Sequence, residues 1–243
     1  MLDNRIVRVK VKGNFACFTR PDLKVERMTY PCMTPSAARG ILDSILWKPE
    51  FQWYVRRIQI LNPVRFATIK RNEINSKQGR SPIVIEEKRA QRNSVVLRDV
   101  AYIIESSIYM KKSDKAKLEK YVGMNAGNEG MFPRRVKKGQ CWRRPYLGVR
   151  EFSAEFMEPD GTEQPIRETI PIGSMLFDIF YDANGKPEPL FFHDVAIRNG
   201  VLNCEVPQNE KMMQSSHFQP AIDSEVSSAI YEFNQREEKE VAL

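Results

Sequence analysis

Histidine is nearly missing from this chain, with only His193 and His217 among 243 residues. Proton relays built on imidazole have little to draw on, and a zinc site would need an unusual ligand set. Cysteine is sparse as well. Cys17, Cys32, Cys141 and Cys204 lie far apart with no CxxC pair, which excludes a disulfide framework and reads as a reduced, cytoplasmic protein. No apolar run approaches the roughly 18 residues that a membrane span requires, and "MLDNRIVRVKVKG" places charge where a signal peptide would be apolar. P-loop, GxGxxG and HExxH motifs are absent, so nucleotide hydrolysis and zinc proteolysis have no support. No metal and no cofactor is expected. There are no internal repeats and no low-complexity tracts.

What the chain does have is charge, unevenly spread. Residues 1–150 carry 32 Lys and Arg against 13 Asp and Glu, and residues 151–243 carry 6 against 18, so net charges of +19 and −12 underlie the overall +7. Such polarity points to an N-terminal part facing a polyanion and a C-terminal third facing away or toward a basic partner. A membrane surface is the other polyanion, but no basic amphipathic helix with bulky apolar residues opposite is present. Nucleic acid is favoured over membrane.

"IVRVKVKGNFACF" alternates Val7, Val9 and Val11 with Arg8, Lys10 and Lys12, a strand with one core face and one cationic face. In "TPSAARGILDSILW", Thr34 caps a helix with Pro35 at its first position, and Ala38, Ile41, Leu42 and Ile45 form its apolar side. "FQWYVRRIQIL" and "PVRFATIKRNEI" read as two strands. "NSKQGRSPIVIEEKRAQRN" is polar and punctuated by Gly and Pro, so 75–95 is expected to be a projecting loop or hairpin. "VVLRDVAYIIESSIYM" follows as a long strand, and "SDKAKLEKYVGM" as a short helix capped by Ser113. This order predicts an α+β fold: a ferredoxin-like, RRM-related N-terminal domain with extended strands over 1–150. Beyond it, "EFSAEFME", "GSMLFDIFYD", "EPLFFHDVAIRNG" and "VLNCEVP" are strand-like and separated by turn signals. They predict a small antiparallel β-sheet domain over 151–207. The polar tail 208–243, with one weakly amphipathic segment "AIDSEVSSAIYEF", is expected to be partly disordered.

The densest basic block is "RRVKKGQCWRRPYLGVREF", residues 134–152. Arg134, Arg135, Lys137, Lys138, Arg143 and Arg144 can contact phosphates, which supply most nucleic-acid affinity. Gly139, lacking Cβ, would let the backbone approach RNA. Trp142 and Tyr146 serve either as stacking platforms or as core anchors. Arg150-Glu151 reads as an internal ion pair. Arg20, Lys24, Arg27, Lys70 and Arg71 are further phosphate ligands or a solvated surface.

Several blocks carry a resemblance: "ACFTRPDLKVERMTYPCMTPSAARGILDSILWKPEFQW", "IKRNEI" and "GQCWRRPYLGVREF". Over most of residues 5–200 the chain resembles the Cas-five family of bacterial CRISPR systems, of the RAMP superfamily, in its subtype I-C (d-type) form. The resemblance implies an RRM-related domain with a small β-domain, and a metal-independent endoribonuclease that cuts the CRISPR repeat hairpin. It further implies retention of the guide RNA 5′ handle within an interference complex, beside backbone and large subunits. Other subtypes keep only the binding role. A basic hairpin at 75–95 would also suit target DNA.

Metal-free cleavage uses the 2′-hydroxyl to attack the neighbouring phosphate, with a general base, a general acid and a cation for the phosphorane. The d-type members supply these with a tyrosine after the first helix and a Lys-His pair upstream of the Arg-rich block. This chain departs at both places. "SILWKP" puts Leu46 at the tyrosine position, and "NAGNEGMF" puts Asn128 and Glu129 nearest the Lys-His pair. Substitutes are Lys120 with Tyr121 as an ammonium beside a phenol, and Glu129 as a base. His193, within a strand, reads as a packed or surface imidazole. Three functions follow: an RNA-processing endonuclease, a non-catalytic handle-binding subunit of the same complex, or a general single-strand binding module.

Overall fold

The computed structural model describes residues 2–77, 79–110, 114–125, 128–182 and 184–214. Ser113, His217 and the segment 221–233 lie outside the described residues. Strand β1 (Val7–Ala16) leads through a long arm to helix α1 (Pro35–Ile45) and strand β2 (Phe51–Ile60). Strand β3 (Phe66–Ile74) and the one-turn helix α2 (Ile85–Lys88) precede the 22-residue strand β4 (Arg89–Met110). Helix α3 (Lys115–Val122), the short strands β5 (Met124–Asn125) and β6 (Asn128–Glu129), and helix α4 (Met131–Lys138) bring the chain back to strand β7 (Glu155–Met157). Strands β8 (Ile170–Tyr181), β9 (Pro187–Ile197) and β10 (Val201–Asn203) and helix α5 (Pro207–Gln214) complete it.

The central sheet runs β10-β2-β4-β1-β7, with antiparallel pairing throughout. Four neighbouring strands, β2-β4-β1-β7, stand in the order second, third, first and fourth, with helices between the first and second and between the third and fourth. That is the ferredoxin-like arrangement. Valines at alternate positions of β1 explain why its register is fixed: Val7, Val9 and Val11 are 3%, 0% and 0% exposed, and a one-residue slip would turn them to water. Helix α1 forms as the sequence predicts. Thr34 accepts a hydrogen bond from the Ala37 amide at 3.2 Å, Pro35 begins the helix, and Ala38, Ile41, Leu42 and Ile45 are buried.

Strand β4 does two jobs because it is so long. Its second half lies between β1 and β2, while its first half pairs with β3 from Phe66↔Leu97 to Ile74↔Arg89. At the junction Asp99 takes a positive φ of 53°, an irregularity that redirects the strand. The stretch 75–95 is therefore the tip and one arm of a β-hairpin that extends from the sheet.

Two expectations need correction. The change in charge and texture at residue 150 is not a break in the core. Strand β7 pairs with β1, β10 pairs with β2, and one buried cluster runs from Val7 to Met212. Strands β8 and β9 make a separate two-stranded sheet, as do the short β5 and β6. The tail beyond residue 207 also begins as packed structure. In α5, Asn209 is buried and donates to the carbonyls of Val55 at 3.0 Å and Cys204 at 2.6 Å, and Met212 is 2% exposed. An amide that satisfies two buried carbonyls anchors this helix to β2, which a polar composition does not reveal. Helix α3 is capped by Asp114, which accepts from the Lys117 amide at 3.0 Å.

Candidate nucleic-acid interface

The basic block divides into three parts with different roles. The first, "RRVKK", is helical, and Met131, Phe132, Arg135 and Val136 form the buried side of α4. Arg135 is one turn after Met131 and lands on the same face. It is 0% exposed and donates from Nη1 to the Ile45 carbonyl at 2.6 Å, at the end of α1. Arg135 is thus no phosphate ligand but a helix-to-helix tie. Arg134 is half-buried, whereas Lys137 and Lys138 are exposed. Lys137 is paired with Glu129, which raises its pKa by hydrogen bonding and charge. Lys138 has no ion partner among the described residues.

Gly139 owes its place to the helix end. It adopts φ 63°, and its amide and that of Gln140 bond back to Val136 at 3.3 Å and Arg135 at 2.8 Å. This is the left-handed C-terminal cap that glycine favours; a close approach to RNA is not needed to explain it.

The second part runs back along α1. The Trp142 amide and Nε1 donate to the carbonyls of Ser44 at 3.2 Å and Asp43 at 2.6 Å, so the indole anchors the segment at the helix C-terminus. Arg143 lies over the Tyr146 ring at 5.5 Å, and Arg144 is exposed without an ion partner among the described residues. The third part closes the segment against the arm that follows β1. Gly148 has φ 85°, and a Cβ there would sit 2.0 Å from the Cys17 carbonyl oxygen. Only glycine fits this turn.

That arm carries the other predicted residues. It pairs with β4 through Met28↔Val95, opposite β3. Arg27 Nε stands 3.3 Å from Glu73 on β3, and Arg71 pairs with Glu151. Glu151 therefore belongs to Arg71 and not to Arg150. Arg20 pairs with Asp22 at 2.9 Å and lies over Tyr30 at 5.8 Å. Lys24 and Lys70 are exposed and unpaired among the described residues. Residues remote in sequence thus gather where the arm, the hairpin base and the 143–151 segment meet.

The cationic face of β1 does not join them. Arg8, Lys10 and Lys12 pair with Glu105 at 3.2 Å, Glu163 at 3.0 Å and Glu155 at 3.1 Å. Two of those carboxylates come from the acidic third, which therefore neutralises part of the basic region rather than facing wholly away. Burial pushes the Glu163 carboxyl up, but the amides of Asp160 and Gly161 and the Lys10 ammonium outweigh it and hold it at about 2. Cations without ion partners among the described residues collect instead on the hairpin, at Lys70, Lys77, Arg80, Lys88 and Arg89, and near 138–150.

Leu46, at one of the two positions assigned to acid–base chemistry, follows directly on the C-terminal end of α1, the end that also holds Arg135 and Trp142. Leu46 is 0% exposed and its carbonyl accepts from Trp53 Nε1 at 2.9 Å. Trp53 packs at a tilt against Phe132 of α4, ring centroids 4.7 Å apart, and the Tyr121 hydroxyl reaches Glu50 at 3.4 Å. Tyr121 is only 4% exposed and packs against Phe51 at 5.3 Å, so it is a core aromatic. Lys120 is exposed in the last turn of α3, where a cation suits the helix end. Glu129 is held by Lys137. Sequence reading missed Lys48 and Glu50. Lys48 lies over the Tyr121 ring at 6.0 Å, and Glu50 is 3.6 Å from Lys117. Their signal was the charged "WKPE" just past α1. His193 is exposed on β9 and distant in the chain from this group.

The profile of the CRISPR-associated Cas5 proteins, in its Cas5d form, matches residues 6–198. The chain belongs to the Cas5d family. It is 43% identical over 218 residues to the CRISPR pre-crRNA endoribonuclease Cas5d of Thermus thermophilus, covering 83% of this chain and 91% of that one. The Mannheimia succiniciproducens protein of the same name is 38% identical over 221 residues, covering 82% and 94%. In fold, this Cas5d chain is similar to a functionally uncharacterized protein of Streptococcus mutans, with TM-score 0.59, 20% identity and coverage of 84% and 94%. A CRISPR-associated protein of known structure gives TM-score 0.58 at 22% identity, covering 84% and 93%. No described helix is long and apolar enough to cross a membrane.

Proposed function

We propose that this Cas5d protein binds the CRISPR repeat hairpin, cuts precursor RNA without a metal, and keeps the guide RNA 5′ handle as a subunit of a type I-C interference complex. The observation that carries the proposal is the 43% identity, across 83% of this chain and 91% of the other, to a pre-crRNA endoribonuclease. The basic surface where arm, hairpin and 143–151 segment converge is the phosphate-binding side. Lys24, Lys70, Lys138, Arg143 and Arg144 are its exposed or half-exposed cations. The end of α1 is the reaction site. There Lys48, Glu50, Lys117, Glu129 and Lys137 offer carboxylates to take the 2′ proton and ammonium groups to steady the phosphorane. Glu129 makes Lys137 a weaker acid, so Lys137 acts as a fixed charge and not as a proton donor. Cationic surface left on the hairpin would meet target DNA or the backbone subunits, and the acidic residues not bound to β1 would meet a basic surface of a large subunit.

A second reading, a handle-binding subunit without nuclease activity, is favoured by Leu46, whose buried side chain has no proton to exchange. Incubation with the repeat RNA in EDTA separates the two. A unique cut that leaves a cyclic phosphate supports the nuclease; tight binding with intact RNA supports the second reading. If RNA is not bound at all, both fail.

A further inference from the structure

At the N-terminal end of α1, away from the group just described, lies a cleft of about 330 Å³, within the range of roughly 300–1,000 Å³ typical of small-ligand sites. Phe18, Val149 and Leu176 give it apolar walls, and Thr19, Ser36 and Arg27 give it a polar rim. Its floor is the helix itself, at Ala37 and Gly40. Gly40 is the sixth residue of an eleven-residue helix, a position where glycine is among the least favourable choices. Its φ is not positive, and a Cβ built on it meets nothing within 4 Å. Nothing among the described residues requires this glycine. It leaves a flat stretch of bare backbone under an open cleft.

The rim is charged as well. Arg27 lines the cleft with its side chain 31% exposed, its Nε buried in an ion pair 3.3 Å from Glu73 Oε1. Tyr146 lines the same cleft and carries the Arg143 guanidinium on its ring. Flat apolar or aromatic surface beside guanidinium groups is what unpaired bases and their phosphates use. The geometry points to a subsite for one unpaired nucleotide of the bound RNA. Its base lies across Gly40 and Ala37, its phosphate meets Arg27, and the hydroxyls of Thr19 and Ser36 face the ribose. This assignment rests on the RNA-binding reading above, and it makes Gly40 a specificity-determining position.

The test uses the repeat RNA with 2-aminopurine substituted at one position at a time, titrated with the full chain and with Gly40→Ala and Gly40→Leu. One position should change its fluorescence sharply when the wild-type protein binds. Gly40→Ala should raise the melting temperature, by about 2–4 °C, yet bind RNA several-fold more weakly. Gly40→Leu should fill the cleft, weaken binding about tenfold or more, and abolish the change at that position alone. Wild-type affinity and an unaltered fluorescence profile in both variants would overturn the subsite. So would a wild-type protein that binds RNA tightly with no responding position, which leaves the RNA reading intact. Variants that bind RNA normally but fail to join partner subunits would assign the cleft to a protein side chain and overturn the proposal equally.

Discussion

Arg135 and Arg144 are the same residue type nine positions apart, and their surroundings give them opposite roles. Arg135 is enclosed and hydrogen-bonded to the end of α1; Arg144 points to water. Arg135→Ala leaves a cavity and an unpaired carbonyl, and should lower unfolding free energy by about 2–4 kcal/mol in urea denaturation. RNA affinity per folded molecule should stay unchanged. Arg144→Ala should leave stability within about 0.5 kcal/mol, weaken RNA binding, and reduce the slope of log affinity against log salt by about 0.7–0.9. The clue in the sequence was the i, i+4 relation of Met131 to Arg135. It was hidden because "RRVKK" reads as charge first and as a helix second. The burial of Tyr121 had no such clue, since a lone aromatic beside lysines fits a core and a surface equally well.

At the scale of elements, α1 and the β8–β9 hairpin are joined by a buried ionic cluster. Arg39 contacts Asp43 at 2.9 Å and Asp178 at 2.6 Å, with side-chain exposures of 17%, 13% and 5%. Burial pushes the Asp43 carboxyl up to about 6; Arg39 pulls it down and Asp178 adds to the rise. A carboxyl whose folded pKa lies above its unfolded value of about 3.9 stabilises the fold at low pH and loses that contribution as pH climbs toward 6. Relative to Asp43→Asn, the wild-type protein should therefore be more favoured at pH 4.5 than at pH 7.5, by up to about 2 kcal/mol. Urea titrations at the two pH values measure this. Arg39→Met strands two buried carboxylates and should cost about 3–5 kcal/mol at neutral pH.

The β3–β4 hairpin is the other informative element. Alternation places Lys70 outward and Arg71 inward, where Arg71 joins Glu151. Replacing Lys70 with Ala should leave the melting temperature almost unchanged and lower the salt slope of RNA binding by about 0.7–0.9, while replacing Lys88 and Arg89 should leave that slope as it was. A slope unchanged by Lys70→Ala would place the RNA elsewhere. That 75–95 projects was legible from its polarity. That it completes a hairpin with β3 depended on pairing over a loop, which periodicity within one segment does not encode.

Over the whole molecule, the acidic third is part of the same folded unit as the basic part. Glu155 and Glu163 lie on the β1 cations, Asp178 on Arg39, and Glu151 on Arg71. A fragment of residues 1–150 would lose β7 and β10 from the sheet edges and expose apolar surface under β8–β9. It should lack a cooperative unfolding transition by circular dichroism, while the full chain should show one. A fragment that folds on its own would contradict the shared core.

The sequence by itself determined the strands and the first helix, because a period of two or of 3.6 in apolar residues is a local property that burial merely enforces. It also determined the excess of positive charge and the family resemblance, both carried by residue order alone. Only the tertiary structure decided which cations remain free, which aromatics are core, and which glycine faces a cleft. Pairing a charge or covering a ring takes partners from distant parts of the chain, and their distances exist only after the strands have been laid side by side.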